Sequence, residues 1–141
     1  MKKVFIDTDI FMDVLTSREP HFNASAKLLS LVVDRKIAGF TSVIVFANLH
    51  YLYSKNTSRE IARNSLVTLR EYIEILPVDD AIIELALNSS FTDFEDAIQY
   101  YTAIKSEIPI IITRNIRDYR VANILVCNAR EYLEDYFHNK E

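Results

Sequence analysis

The chain has 141 residues, half of them apolar and 26% charged, so a sizeable core is available and global disorder is excluded. A single glycine, Gly39, rules out a P-loop, a G-x-G-x-x-G dinucleotide turn and a kinase glycine loop, each of which needs several positions without a Cβ. One cysteine, Cys127, and three scattered histidines, His21, His50 and His138, exclude a disulfide framework and Cys- or His-based zinc clusters. The net charge of −4 speaks against a broad basic nucleic-acid surface, unless bound cations or a partner chain alter the field. What remains for chemistry is mostly carboxylate.

After Lys2 and Lys3 only three apolar residues precede Asp7, far short of a signal-peptide core or a membrane span. The expected address is the cytoplasm, away from membranes. Nothing resembling a Pro/Gly/Ser-rich linker or an internal repeat divides the sequence, so residues 1–141 are read as one domain. Val4-Phe5-Ile6 is a short apolar strand ending at Asp7. Residues 22–36 carry Ala24, Leu28, Leu31 and Val32 at helical spacing. Residues 42–53 are so densely apolar that their helix must be largely buried, with Thr41 or Ser42 as cap. An amphipathic helix follows over 58–72 (Ile61, Leu66, Leu69), then a strand over 73–78 closed by Pro77, and a helix over 80–88. Residues 94–104 place Phe94, Ala97, Ile98, Tyr101 and Ile104 on one stripe. Residues 108–113 read as a fully buried strand and 124–126 as a last short one. Strands apolar on both faces and alternating with helices predict an α/β domain with a central parallel sheet.

In such sheets the reactive groups lie beyond the carboxyl ends of the strands. Asp7 ends the first strand, within Ile6-Asp7-Thr8-Asp9. Asn115 and Asp118 follow the buried strand that ends at Thr113, and so reach the same edge. Thr92 and Glu95 fit an S/T-x-x-E capping box, which would start a helix there with Asp93 and Asp96 in its first turn. Positions 93, 96 and 100 share a face, opposite the Phe94/Ile98/Tyr101 stripe. Carboxylates converging in a small space cannot all stay ionised without a cation. A hard divalent metal resolves the conflict, because Mg²⁺ or Mn²⁺ prefers oxygen ligands, polarises phosphoryl oxygens and acidifies bound water. The chemistry indicated is hydrolysis of a phosphate ester.

Three signatures in order resemble the PIN domain, the fold of VapC-type toxin ribonucleases: Phe-Ile-Asp-Thr-Asp at 5–9, Asp-Phe-Glu-Asp-Ala at 93–97 and Thr-Arg-Asn-Ile-Arg-Asp-Tyr at 113–119. Residues 41–49 are similar to the second PIN motif, which usually ends in Glu-Leu. The resemblance runs from Lys3 to about Leu133. It implies a three-layer α/β/α fold and a Mg²⁺- or Mn²⁺-dependent endoribonuclease with water as nucleophile. It also implies metal ligands at Asp7, Asp96, Asn115 and Asp118, the three aspartates being catalytic. A small antitoxin partner follows from the same resemblance. Two positions depart from the family pattern: Asn48 stands where Glu is usual, and Asn115 where Asp is frequent. Each removes a negative charge, leaving a second metal dependent on Asp118 and Asp93.

Several side chains are expected to support the site. Thr8 and Thr113 are candidates to orient carboxylates or water, Asn48 to face the site, and Asp93 to lend it charge. Asp9 is expected as a partner of the ligands, and Asp13 as a solvated or capping residue. Arg114 and Arg117, with Arg120, are candidates for contacts to RNA phosphate or an antitoxin carboxylate. The cluster from Leu49 to Tyr53, rich in aromatics, marks core or a homodimer face. Cys127 is expected as a small buried hydrophobe, and Asp79 outside the site. Two other classes compete. Asp7-Thr8-Asp9 resembles the D-x-D opening of haloacid-dehalogenase-type phosphohydrolases, but Ile10-Phe11-Met12 follows instead of turn residues. A PIN fold that only binds a partner or RNA would account for Asn48 and Asn115.

Overall fold

The computed structural model describes residues 1–139. Among these, five strands form one parallel sheet with helices on both faces. The strands are β1 (Lys3–Ile6), β2 (Ala38–Ser42), β3 (Ile73–Leu76), β4 (Ile110–Ile112) and β5 (Leu125–Cys127), in the order β3-β2-β1-β4-β5. Consecutive strands β1, β2 and β3 step toward one edge, whereas β4 and β5 step toward the other. The chain therefore reverses its winding between β1 and β4, and the crevice beyond the carboxyl ends of those two strands is the position where α/β sheets gather ligands. Ile6 pairs with Ile112 across that seam, and the Asp7 N–H donates to the Ile112 carbonyl at 3.0 Å.

The helices are α1 (Thr8–Leu15), α2 (Phe22–Val33), α3 (Val43–Asn56), α4 (Arg59–Leu69), α5 (Asp80–Leu87), α6 (Phe94–Lys105) and α7 (Ala129–His138), with a 3-10 turn over Ile116–Tyr119. Side-chain caps set most of their starts: Asp7, Ser42, Ser58, Asp79, Asp93 and Asn128 each accept a hydrogen bond from a backbone N–H of the first turn. Val4, Phe5, Ile6, Ile111 and Ile112 are fully buried, as strands covered on both faces must be. Gly39 lies where β2 meets α2 and β3: a Cβ there would stand 2.8 Å from Ile73 Cδ1 and 3.0 Å from Val32 Cγ1. Close packing, not backbone conformation, requires the glycine.

The helix over 43–56, expected to be largely buried, buries only Val45 and Leu49 and exposes Val43, Tyr51 and Leu52. Three further elements depart from the sequence expectations. Thr8–Leu15, for which the sequence predicts no element, is a helix capped by Asp7 itself. Ala38–Ser42 is a strand although its Ala, Gly and Ser are poor strand formers, because its neighbours β1 and β3 supply both ladders. Ala129–His138 forms a final helix beyond the expected last strand. The buried face of α6 is also shifted from the expected stripe. Phe94 and Ile104 are 44% and 41% exposed, while positions 96–100, 102 and 103 are buried. No helix of the described residues is long and apolar enough to cross a membrane.

Candidate active site

Asp7 leaves β1 at the winding reversal and is buried. As N-cap of α1 its Oδ1 accepts from Thr8 N at 2.8 Å. Its Oδ2 accepts from Thr113 Oγ1 at 3.0 Å and from Tyr119 Oη at 3.1 Å. The carboxylate is thus held by donors from α1, the end of β4 and the 3-10 turn. Burial, reinforced by the charge of Asp9, nevertheless pushes it up to about 6.

Asp96 comes from the opposite side, in the first turn of α6. The helix does not start on the expected Thr92/Glu95 box. Asp93 is its N-cap, accepting from Asp96 N at 2.9 Å, and Thr92 is exposed. Moving the cap by one residue turns Asp96 inward and frees Glu95, which accepts from Asn48 Nδ2 at 3.3 Å. Burial, then the charges of Asp7, Asp93 and Asp118, raise Asp96 to about 7. Those causes show that the four aspartates share one electrostatic neighbourhood. Tyr119, 2% exposed, has its phenol held well above the ordinary range by burial and by the charges of Asp7 and Asp96, so it stays protonated and donates to Asp7. Its ring is fixed edge-on to Phe91, 6.0 Å between centroids, and Phe91 packs in turn on Tyr100.

The other expected residues fall into place around this pair. Thr113 is fully buried, and its Oγ1 also lies 3.4 Å from Asp9 Oδ2 while accepting from Asn115 N at 3.1 Å. Thr8 contributes its backbone N–H. Asp118 and Asn115 are exposed on the 3-10 turn, and Asn115 makes no side-chain cap bond there. Asn48 reaches the start of α6 through Glu95. Asp9 accepts from Arg114 N at 2.9 Å, which ties it to the same turn. Burial raises its carboxyl as well, against the lowering effect of Arg114.

Asp13 corrects an expectation. It is fully buried, not solvated, and binds Arg114 through two bonds, Nε to Oδ2 at 3.0 Å and Nη2 to Oδ1 at 2.9 Å. Ser25 Oγ donates to Oδ2 at 3.1 Å, and Arg18 lies 3.7 Å from Oδ1. Arg114, expected to point at a ligand, commits these two nitrogens to Asp13. Arg117 is exposed. Cys127 is buried and its thiol is pushed up to about 11, as expected of an inert side chain. Asp79 stands apart, capping α5 and pairing with Lys105. Tyr119 is the residue the motif reading did not single out; its signal was an aromatic directly after Asp118 in a mostly polar turn.

Oxygen is the only donor type this neighbourhood offers, which suits a hard divalent cation and no soft one. A cation between Asp7 and Asp96 would relieve the repulsion that raises both. Among the described residues, however, no three or more His, Cys, Asp and Glu side chains already stand as a ligand set. Asp118 and water would have to complete it. A separate cavity of about 580 Å³ between α1, α2 and α4 is mostly apolar, lined by Phe11, Leu15, Leu29, Val33, Leu69 and Tyr72, and its one carboxylate, Asp34, makes no acidic cluster.

A family model described as PIN domain matches residues 3–117. Ribonuclease VapC1 of Aquifex aeolicus (strain VF5) is 25% identical over 138 residues, which cover 94% of both chains. Among solved structures, VapBC2 from Rickettsia felis bound to a promoter DNA fragment superposes with a TM-score of 0.65 at 21% identity, over 89% of this chain and 98% of that one. VapC20 of Mycobacterium tuberculosis, described as a sarcin-ricin loop cleaving toxin, gives 0.66 at 14% identity, over 86% and 96%.

Proposed function

The chain belongs to the PIN domain family, and from that premise we propose that it is a Mg²⁺- or Mn²⁺-dependent endoribonuclease, the toxin of a toxin–antitoxin pair. The observation that carries the reading is the charge coupling of buried Asp7 and Asp96, raised to about 6 and 7, with Thr113 and Tyr119 donating to Asp7. The similarity to Ribonuclease VapC1 supports it.

In this reading Asp7 and Asp96 hold the metal, with Asn115 and Asp118 as additional oxygen donors from the turn. When bound, the cation polarises a phosphoryl oxygen and acidifies a water. Thr113 and Tyr119 fix the direction of Asp7 by donating to Oδ2, and Asp93 fixes the start of α6 and hence Asp96. Asp118 is exposed on the turn, where it would complete the oxygen ligands together with water. Two features support protein partners. The mostly apolar cavity between α1, α2 and α4 suits the apolar face of an antitoxin segment. Tyr51 and Leu52 on α3 are 61% and 38% exposed, which suits a homodimer.

The second reading is a PIN fold that binds a partner or RNA without cleaving. It is favoured by Asn48, which is spent on Glu95, and by the incomplete ligand set. Titration calorimetry with Mn²⁺ decides between them. A saturable heat below millimolar metal, lost in Asp96→Asn, supports the nuclease, and no heat up to that range supports the binding module.

A further inference from the structure

Beside the turn that carries Thr113, a cavity of about 380 Å³ opens between the beginnings of α1, α2 and α7. Its polar lining is basic or neutral, from Arg114, Arg130, His21 and Asn128 over a floor of Ile10 and Ala24, and holds no carboxylate. In a chain with a net charge of −4 this is a local reversal of sign. Arg114 is preorganised: Asp13 binds Nε and Nη2, and Ser25 fixes Asp13, so Nη1 keeps its donors for a ligand. Fully buried Asp13 faces two guanidinium groups, those of Arg114 and Arg18, so one acid does not cancel the positive charge beside it. Arg130 is exposed, and among the described residues no carboxylate pairs with it. The α7 N-terminus is already closed by the Asn128/Glu131 capping box, so the basic side chains rather than the helix end make the site.

The cavity and the acid pair are neighbours through one dipeptide. Thr113 donates to Asp7, while Arg114 donates its backbone N–H to Asp9 and turns its side chain toward the cavity. We propose that this cavity binds a phosphodiester of the RNA strand, next to the one held at Asp7 and Asp96. The inference rests on the RNA reading above. An acidic edge repels a polyanion, and a fixed guanidinium with a second cation beside it offsets that repulsion at one phosphate without selecting a base.

The test uses the full chain and a fluorescent single-stranded oligoribonucleotide. Binding is read by anisotropy in EDTA, where cleavage is off, at several salt concentrations. Arg130→Glu is expected to weaken binding about tenfold and to lower the salt slope by about one, with a raised KM in Mn²⁺. Arg63→Glu, the same charge change on α4, should do neither. Arg114→Lys keeps the charge and spares Asp13 an unpaired state, yet loses the fork, and should weaken binding severalfold. Equal binding by Arg130→Glu and Arg63→Glu overturns the subsite and leaves the nuclease reading standing. Normal binding and Arg130 dependence with no cleavage in Mn²⁺ or Mg²⁺ support the subsite and overturn the nuclease. Inorganic phosphate is the second probe: if it binds with Arg130 dependence while RNA does not, the strand assignment fails.

Discussion

Tyr119 sets its hydroxyl 3.1 Å from Asp7 Oδ2, and the same hydroxyl lowers the pKa of Asp96 against the stronger effect of burial. A residue in a surface turn thereby joins the end of β1 to the start of α6. Tyr119→Phe keeps the ring against Phe91 and removes only the donor. At pH 7.5 in metal-free buffer it should cost about 1 kcal/mol in thermal or urea unfolding. The titration of the acid pair, followed by carboxyl NMR, should move upward, because a bond that favours the charged forms is gone.

The acid pair also sets a pH dependence. Asp7 and Asp96 rise from 3.8 to about 6 and about 7, so the folded chain holds protons that the unfolded chain has already released. Metal-free stability therefore falls as pH rises from about 4 to about 7 and levels off above. Asp96→Asn removes the larger share of this slope. Its midpoint should match wild type near pH 4 and exceed it at pH 8, by on the order of 1 kcal/mol. Thermal melts across that range check it, and a wild-type slope unchanged by the substitution would remove the repulsion from the account.

The Asp13–Arg114 pair makes the opposite prediction. Arg114→Ala leaves a fully buried carboxylate facing only Ser25 and a guanidinium at 3.7 Å, and should cost about 3 kcal/mol or more in urea unfolding. Arg18→Ala removes the looser partner, whose side chain is 44% exposed, and should cost less than about 1 kcal/mol.

Much of this arrangement is legible from residue order. The apolar runs at β1 and β4, each ending in polar residues, announce parallel strands and put Asp7 and Thr113 at one edge. The helical spacing in α2, α4 and α5 is equally plain. What escapes is whatever depends on neighbours. Ala38–Ser42 becomes a strand because two ladders enclose it, not through its own propensity. The rival caps Thr92 and Asp93 differ by one residue, and only the packing of α6 decides between them. Asp13 looks like a surface acid until Arg114, 101 residues later, folds onto it. Tyr119 escapes for the same reason, since its partner carboxylates lie far off in the chain.

The two asparagines that depart from the family pattern should now behave differently. Asn115 is exposed beside Asp118, so Asn115→Asp adds a donor charge at the open side of the pair and should tighten Mn²⁺ binding severalfold. Asn48→Glu would place a carboxylate against Glu95, which now accepts the Asn48 amide, and should gain nothing. Calorimetry of both variants against wild type reads the difference.

The central claim is that Asp7 and Asp96 together support metal-dependent hydrolysis of RNA. Its most direct measurement is cleavage of a panel of fluorescent single-stranded RNAs in Mn²⁺ or Mg²⁺, with an EDTA control, by wild type, Asp96→Asn and Asp79→Asn. Wild type and Asp79→Asn are expected to cleave in a reaction that EDTA abolishes, and Asp96→Asn to lose at least about a hundredfold. Equal cleavage by wild type and Asp96→Asn, or cleavage that persists in EDTA, would contradict it.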